Sequence, residues 1–253
     1  MDPLEVLGLA AAAFVAGAIN AVAGGGSLVS FPALLAAGYG SKTANVTNTV
    51  ALWPGYVGGS LGYRGELRRQ RRRVLAMLAP SVGGALAGSV ILLSTPESAF
   101  EAIVPFLILF ACAVMAFQDR LSLLAQEHRL ASSGGDHIPI PLYIATFLLA
   151  VYGAYFGAGL GILALAMLGI FLPDDIQHSN ALKGMFSLLV NAVAVMYFAP
   201  FGPVRWLPVA IMAAGSLGGG YLGVGVARKL GKRWLRLSVI SYGVLVAVVL
   251  LVR

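Results

Sequence analysis

The chain has 253 residues, 59% hydrophobic and 11% charged, with a formal net charge of +7 and a mean hydropathy of +0.88. Soluble domains carry about 25% charged residues, so this composition excludes a soluble enzyme or nucleic-acid-binding domain and predicts an all-α polytopic membrane protein. A single cysteine, Cys112, excludes an intrachain disulfide framework and a thiolate metal centre.

The chain opens as MDPLEVLG, acidic and then apolar, without the basic segment of a cleaved signal peptide. The first apolar window, about 4–22, is therefore expected to persist as a helix. It runs into NAVAGGGSLVSFPALL, where three glycines and a serine interrupt the apolar run. Glycine is roughly 1 kcal/mol worse than alanine in a helix interior. A helix broken in lipid also frees N–H and C=O groups that only protein or a polar cavity can satisfy. The pattern predicts a break at Gly25 and Gly26, then a short helix near 27–37, with Asn20 placed to cap it or to face a cavity.

The next window, 43–63, begins with SKTANVTNTVALWPG, crowding Asn45, Thr47, Asn48 and Thr49 at its start. Trp53–Pro54 predicts a kink beside the cavity. Windows at 74–94 and 99–118 follow the basic run RGELRRQRRR. After the polar stretch Asp119 to His137 come 139–157, a second glycine cluster with a short apolar piece at 161–172, and windows at 179–198, 206–227 and 234–252. Each long window is near the roughly 20 residues that a crossing helix needs, whereas the two short pieces are not.

The halves read as copies. AGGGSLVSFPALL lies over GAGLGILALAMLG with Ser27 on Gly161, an offset of 134, and GGALAG lies over GGGYLG. This predicts a repeat at 1–118, a connecting loop at 119–138 and a repeat at 139–253, each repeat a re-entrant broken hairpin followed by three spans. Charge supports the hairpins. If all eight long windows cross, the basic residues outside Lys183 divide ten to six between the two sides. If each hairpin returns to its own side, thirteen share one side and only Lys42, Arg205 and Arg253 lie opposite. Basic residues accumulate on cytoplasmic loops, so the second arrangement is preferred. It puts 64–73, 119–138 and 228–236 on the cytoplasmic side of a cell membrane and makes the repeats inverted.

A helix N-terminus carries about half a positive charge and free amides, and so attracts anions. The breaks aim the amides near Gly25, Gly26, Ser27, Gly159 and Gly161 into the membrane. In HSNALKGMFSLLVNA, the residues Asn180, Lys183, Ser187 and Asn191 recur at spacings of three and four and share one helix face. Lys183 is the only basic residue well inside a span, and no carboxylate lies deep in any span. A buried cation needs a partner; the candidates are a mobile anion or Asp174 and Asp175 at the membrane edge. The expected substrate-contacting set is therefore those amides with Asn20, Asn45, Asn48, Thr49, Trp53, Asn180, Lys183, Ser187 and Asn191. His178 reads as an interfacial cap. No cofactor, metal or catalytic residue is expected. The expected partners are a small anion and anionic lipid headgroups at the arginine-rich loops, not nucleic acid; a homodimer is left open.

The stretches NAVAGGGSLVSFPALL, ANVTNTVALWPGYVGGSLGYRGEL, HSNALKGMFSLLVNAVAVMYFAPFGPVRW and GGGYLGVGVARKL resemble the TauE/SafE family of sulfite exporters and toluenesulfonate permeases over essentially the whole chain. The resemblance implies a duplicated bacterial inner-membrane transporter for sulfite, sulfonates, sulfoacetate or related anions, working by alternating access. An anion channel or facilitator is the alternative. Ser27 takes the last place of the usual glycine run, and Ala166 stands where the first half has Pro32, which predicts a softer second break.

Overall fold

The computed structural model describes residues 1–22, 24–61, 64–121, 123, 139–172, 176–230 and 232–252. These residues form helices joined by short turns, with no strand among them. In the first half lie α1 (Pro3–Val22), α2 (Ser27–Ala36), α3 (Ser41–Leu61), α4 (Arg64–Arg69), α5 (Arg71–Ser94) and α6 (Glu97–Ala116). The second half contributes α7 (Ile140–Tyr155), α8 (Leu160–Phe171), α9 (Ile176–Phe201), α10 (Trp206–Leu230) and α11 (Lys232–Val252). Among the described residues, four stretches are long and apolar enough to cross a membrane: Pro3–Ala21, Arg71–Ser94, Glu97–Ala116 and His178–Phe201. The protein is an all-α polytopic membrane protein.

Both glycine clusters break the chain, and the short helices fold back. At 10 residues, α2 is about 15 Å long, half of a hydrocarbon core of about 30 Å. It runs antiparallel to α1. A Cβ built at Gly26 would lie 2.0 Å from the Ala16 carbonyl oxygen, while Ala36 and Ala37 share a groove with Leu4 and Gly8 at the opposite end of α1. The second hairpin follows suit. Leu160 packs on Gly153, and Thr146 Oγ1 meets Met167 Sδ at 3.8 Å.

Each first helix stops on a left-handed glycine, Gly24 at φ +78° and Gly157 at φ +74°. Each glycine donates its N–H five residues back, Gly24 to the Ile19 carbonyl at 2.9 Å and Gly157 to that of Tyr152 at 3.1 Å. A side chain at such a position would collide with its own backbone, which is why glycine ends helices in this way. The two breaks therefore correspond at an offset of 133, one residue from the sequence alignment. The second break is not softer, since Gly159 is left-handed as well, at φ +76°. Pro32 lies buried within α2 rather than at the break, so its replacement by Ala166 leaves the turn untouched.

Backbone contacts fix the helix directions. Ala10 and Phe14 of α1 meet Gly215 and Gly219 of α10 in register, so those helices run in the same sense. So do α3 and α10, joined where Ser216 Oγ donates to the Leu52 carbonyl at 3.2 Å and where Gly220 meets Gly55. In the other half, Phe147 and Val151 of α7 meet Gly84 and Gly88 of α5. Exchanging the halves maps these pairings onto one another: α1 packs on α10 as α7 packs on α5, and α3 on α10 as α9 on α5. One end of the bundle is marked by the Lys42 N–H donating to Glu97 Oε1 at 3.0 Å and by Lys42 Nζ donating to the Thr95 carbonyl. The other end is marked by Gln70 Nε2 donating to the His178 carbonyl at 3.2 Å. The α1–α2 hairpin enters from the Lys42 end and the α7–α8 hairpin from the Gln70 end. The exposed Arg68, Arg69, Arg71 and Arg72 crown the Gln70 end, where α10, parallel to α3, also finishes. Most of the connecting loop, 124–138, lies outside the described residues.

Water drives no association between helices inside lipid; close backbone approach does, and small residues permit it. On α5 the buried face carries Ser81, Gly84, Ala85, Gly88 and Ser89, while Leu75, Leu78, Val82, Leu86 and Val90 stand exposed. The most extensive interface is α1 on α10. A Cβ at Gly219 would sit 1.9 Å from the Phe14 carbonyl oxygen, whereas one at the adjacent Gly218 meets only the Phe14 ring, at 3.7 Å. Gly219→Ala is therefore expected to lower the melting temperature sharply and Gly218→Ala to leave it unchanged or raised, as thermal melts in detergent will read.

Candidate functional site

The tips of the two hairpins touch in the middle of the bundle. A Cβ at Gly24 would lie 2.6 Å from Gly161 Cα, and one at Gly161 would lie 2.8 Å from Gly24 Cα. Behind this contact, the rings of Phe31 and Phe156 pack edge to face with centroids 5.5 Å apart. Beside it opens a narrow pocket with a cavity volume of about 40 Å³. Helix α3 contributes Gly55, Tyr56 and Ser60 from its last turns; α9 contributes Asn180, Lys183, Gly184 and Ser187 from its first. The hairpin tips supply Asn20, Ala21, Gly24, Gly157, Leu160 and Gly161.

Lys183 is 6% exposed, with its Cδ 3.6 Å from the point where a Gly161 Cβ would stand. Its ammonium has no hydrogen bond or ion pair with any described residue, and no carboxylate lines the pocket among the described residues. Asp174 and Asp175 lie outside the described residues. The remaining polar side chains among the described residues are carboxamides and hydroxyls, each able to donate. Asn20 Oδ1 is occupied, accepting the N–H of Gly25 at 3.1 Å and that of Gly26 at 2.7 Å, which leaves its NH₂ for the pocket. Position 153, the counterpart of Asn20 at the 133 offset, is glycine, so α8 has no equivalent cap. The Gly161 N–H has no acceptor among the described residues. Such a pocket presents one cation, a free helix N-terminus and carboxamide and hydroxyl groups, a combination suited to an oxyanion.

Five members of the sequence-predicted set line this pocket: Asn20, Gly161, Asn180, Lys183 and Ser187. The others lie elsewhere. Gly25 and Gly26 are held by Asn20, and Ser27 begins α2 behind them. Gly159 caps α8, and a Cβ built on it would lie 3.8 Å from Ala111 of α6. Asn45 Nδ2 donates to the Tyr155 carbonyl at 2.8 Å, fastening the start of α3 to the end of α7. Thr49 Oγ1 donates to its own helix at the Asn45 carbonyl, 3.1 Å away, and Asn191 Nδ2 likewise to the Ser187 carbonyl at 2.8 Å. Asn48 Oδ1 and Trp53 Nε1 are buried with no hydrogen-bond partner among the described residues. Sequence reading missed Gly24, Tyr56, Ser60 and Gly184. Ser60 and Tyr56 stand four apart on α3, a signal that becomes legible only once α3 is known to run against α9.

The sequence model of a family described as Sulfite exporter TauE/SafE matches residues 9–250. A probable membrane transporter protein of Haemophilus influenzae is 29% identical over 231 residues, covering 90% of this chain and 87% of its own. A probable membrane transporter protein, ORF9, of a Sinorhizobium species is 27% identical over 248 residues, covering 95% of this chain and 90% of its own. The probable membrane transporter protein YfcA of Escherichia coli K12 is 24% identical over 242 residues, with 93% and 86% covered. No solved structure matches the chain significantly.

Proposed function

The chain belongs to the TauE/SafE sulfite exporter family, and on that premise we propose that this membrane transporter carries a small sulfur oxyanion, sulfite or a sulfonate, through the pocket between the hairpin tips. One observation carries the reading: Lys183 is buried in a pocket that has, among the described residues, neither a carboxylate nor any other partner for its ammonium. Taking an ammonium out of water costs several kcal/mol unless an opposite charge compensates it. A lysine kept there suits a negative solute that arrives and leaves. The Gly161 amide, the Asn20 and Asn180 carboxamides and the Ser187 hydroxyl would orient its oxygens.

The two halves act in this reading as inverted repeats that take turns in sealing the pocket, so that access alternates between the Lys42 end and the Gln70 end. The Gln70 end faces the cytoplasm of a bacterial inner membrane, because the arginines of α4 and α5 gather there. They also meet anionic lipid headgroups at that surface. No group-transfer chemistry is assigned to the site. A ligand that binds only the folded state raises its melting temperature. Sulfite, thiosulfate, sulfoacetate and arenesulfonates are therefore the panel for a thermal-shift screen of purified protein, with chloride as the control. At least one sulfur anion is expected to stabilise the protein and to show counterflow in proteoliposomes. A flat response to every member of the panel overturns the reading.

A further inference from the structure

We propose that Ser60 is a direct donor to the transported anion and that Gly184 is kept bare so that this hydroxyl can reach it; the proposal rests on the reading of the pocket as an anion site. Ser60 stands on α3 across the pocket from the Lys183 turn of α9. It is 8% exposed, and its Oγ is fully enclosed without a hydrogen-bond partner among the described residues. Serines on membrane helices ordinarily satisfy themselves by donating to the carbonyl four residues back. This protein does so at Ser89, whose Oγ donates to the Ala85 carbonyl at 2.8 Å, and at Ser94, whose Oγ donates to that of Val90 at 2.8 Å. Ser60 has Tyr56 four residues back and forgoes that bond. A buried hydroxyl left unbonded is destabilising, so this rotamer makes sense where a ligand completes it.

The neighbour of that hydroxyl is equally telling. Among the described residues, a Cβ at Gly184 would meet one thing, Ser60 Oγ, at 3.7 Å. That is ordinary contact, so alanine fits there, and inside a helix alanine is the better residue. Glycine at 184 therefore gains nothing from the fold. What it leaves open is the approach to the Ser60 hydroxyl from the Lys183 side, where an oxygen of the anion would accept its proton. The chemistry served is that of an oxyanion with at least two separated acceptor oxygens, one on the Lys183 ammonium and one on Ser60. A halide is a single atom and cannot place separate acceptors on the Lys183 ammonium and on Ser60, so Ser60 discriminates against it.

The test uses Ser60→Ala, Gly184→Ala and the double variant, each purified and reconstituted, with sulfite and sulfoacetate as probes. Both single variants are expected to melt at or above the wild-type temperature without ligand, because one removes an unbonded hydroxyl and the other a helical glycine. Each is expected to weaken anion binding about tenfold or more, the worth of a hydrogen bond to a charged acceptor. The double variant should be no worse than the poorer single one, as two changes acting on one contact are not additive. Wild-type affinity in Ser60→Ala, with the wild type itself binding sulfite, overturns this proposal and leaves the anion site standing. Additive losses in the double variant overturn the assignment of Gly184. If the wild type binds none of the probes, the anion site and this proposal fall together.

Discussion

Lys183→Met is expected to abolish sulfite uptake into proteoliposomes while the ligand-free protein melts at the wild-type temperature or above. Methionine keeps an unbranched chain of similar reach, so the wall between α9 and the α8 tip stays filled; only the charge goes. A hydrogen bond to a charged group contributes about 1.5–3 kcal/mol. Leaving one member of a buried ion pair without its partner costs about 3–5 kcal/mol. At 1.4 kcal/mol per factor of ten, a loss of at least about a hundredfold in transport follows. Stability should move the other way, because the ligand-free ammonium has no compensating group among the described residues. Lys183→Arg is not expected to rescue transport. The Lys183 stem already passes 3.6 Å from where a Gly161 Cβ would stand, and a planar guanidinium is broader than an ammonium. Uptake at the wild-type rate in Lys183→Met would remove this residue from the mechanism.

Much of the architecture can be read from residue order, because membrane helices announce themselves by length and glycine clusters by their cost in a helix. The expected short pieces at 27–37 and 161–172 appear as Ser27–Ala36 and Leu160–Phe171. The site was harder to read, for a reason that lies in helix direction. The polar residues at the start of α3 looked like partners for those at the start of α9. Since the two helices run opposite ways, their starts lie at opposite ends of the bundle. Asn45 then serves the α7 terminus, and the pocket takes Tyr56 and Ser60 from the far end of α3 instead. Asn20 shows the same limit. Its sequence position allowed a capping or a cavity role, and it fills both: its oxygen holds two amides while the residue lines the pocket. The consequence is asymmetric. Of the two helix N-termini that the repeat pattern promises, the side chain of Asn20 holds the Gly25 and Gly26 amides of one, whereas the other brings Gly161 to the pocket wall.

Gly161→Ala is expected to stop transport as Lys183→Met does, but with the opposite effect on stability. In an open helix the substitution would be favourable by up to about 1 kcal/mol. Here the added methyl would sit 2.8 Å from Gly24 Cα, a backbone atom fixed by the left-handed turn that ends α1. No rotamer relieves such a contact; the tips must separate, and overpacking of this kind costs about 1–3 kcal/mol or more. Gly24→Ala is worse placed still, because it adds a left-handed conformation costing about 1–2 kcal/mol to a contact of 2.6 Å with Gly161 Cα. Both variants are expected to melt well below wild type. The pair together should fall short of the sum of the two losses, since once the tips part the second methyl has room. Melting curves and sulfite uptake on the same preparations separate the cases. A Gly161→Ala protein that melts like wild type would mean that the hairpin tips do not meet in the membrane as they do in this fold, and the shared pocket between them would lose its wall.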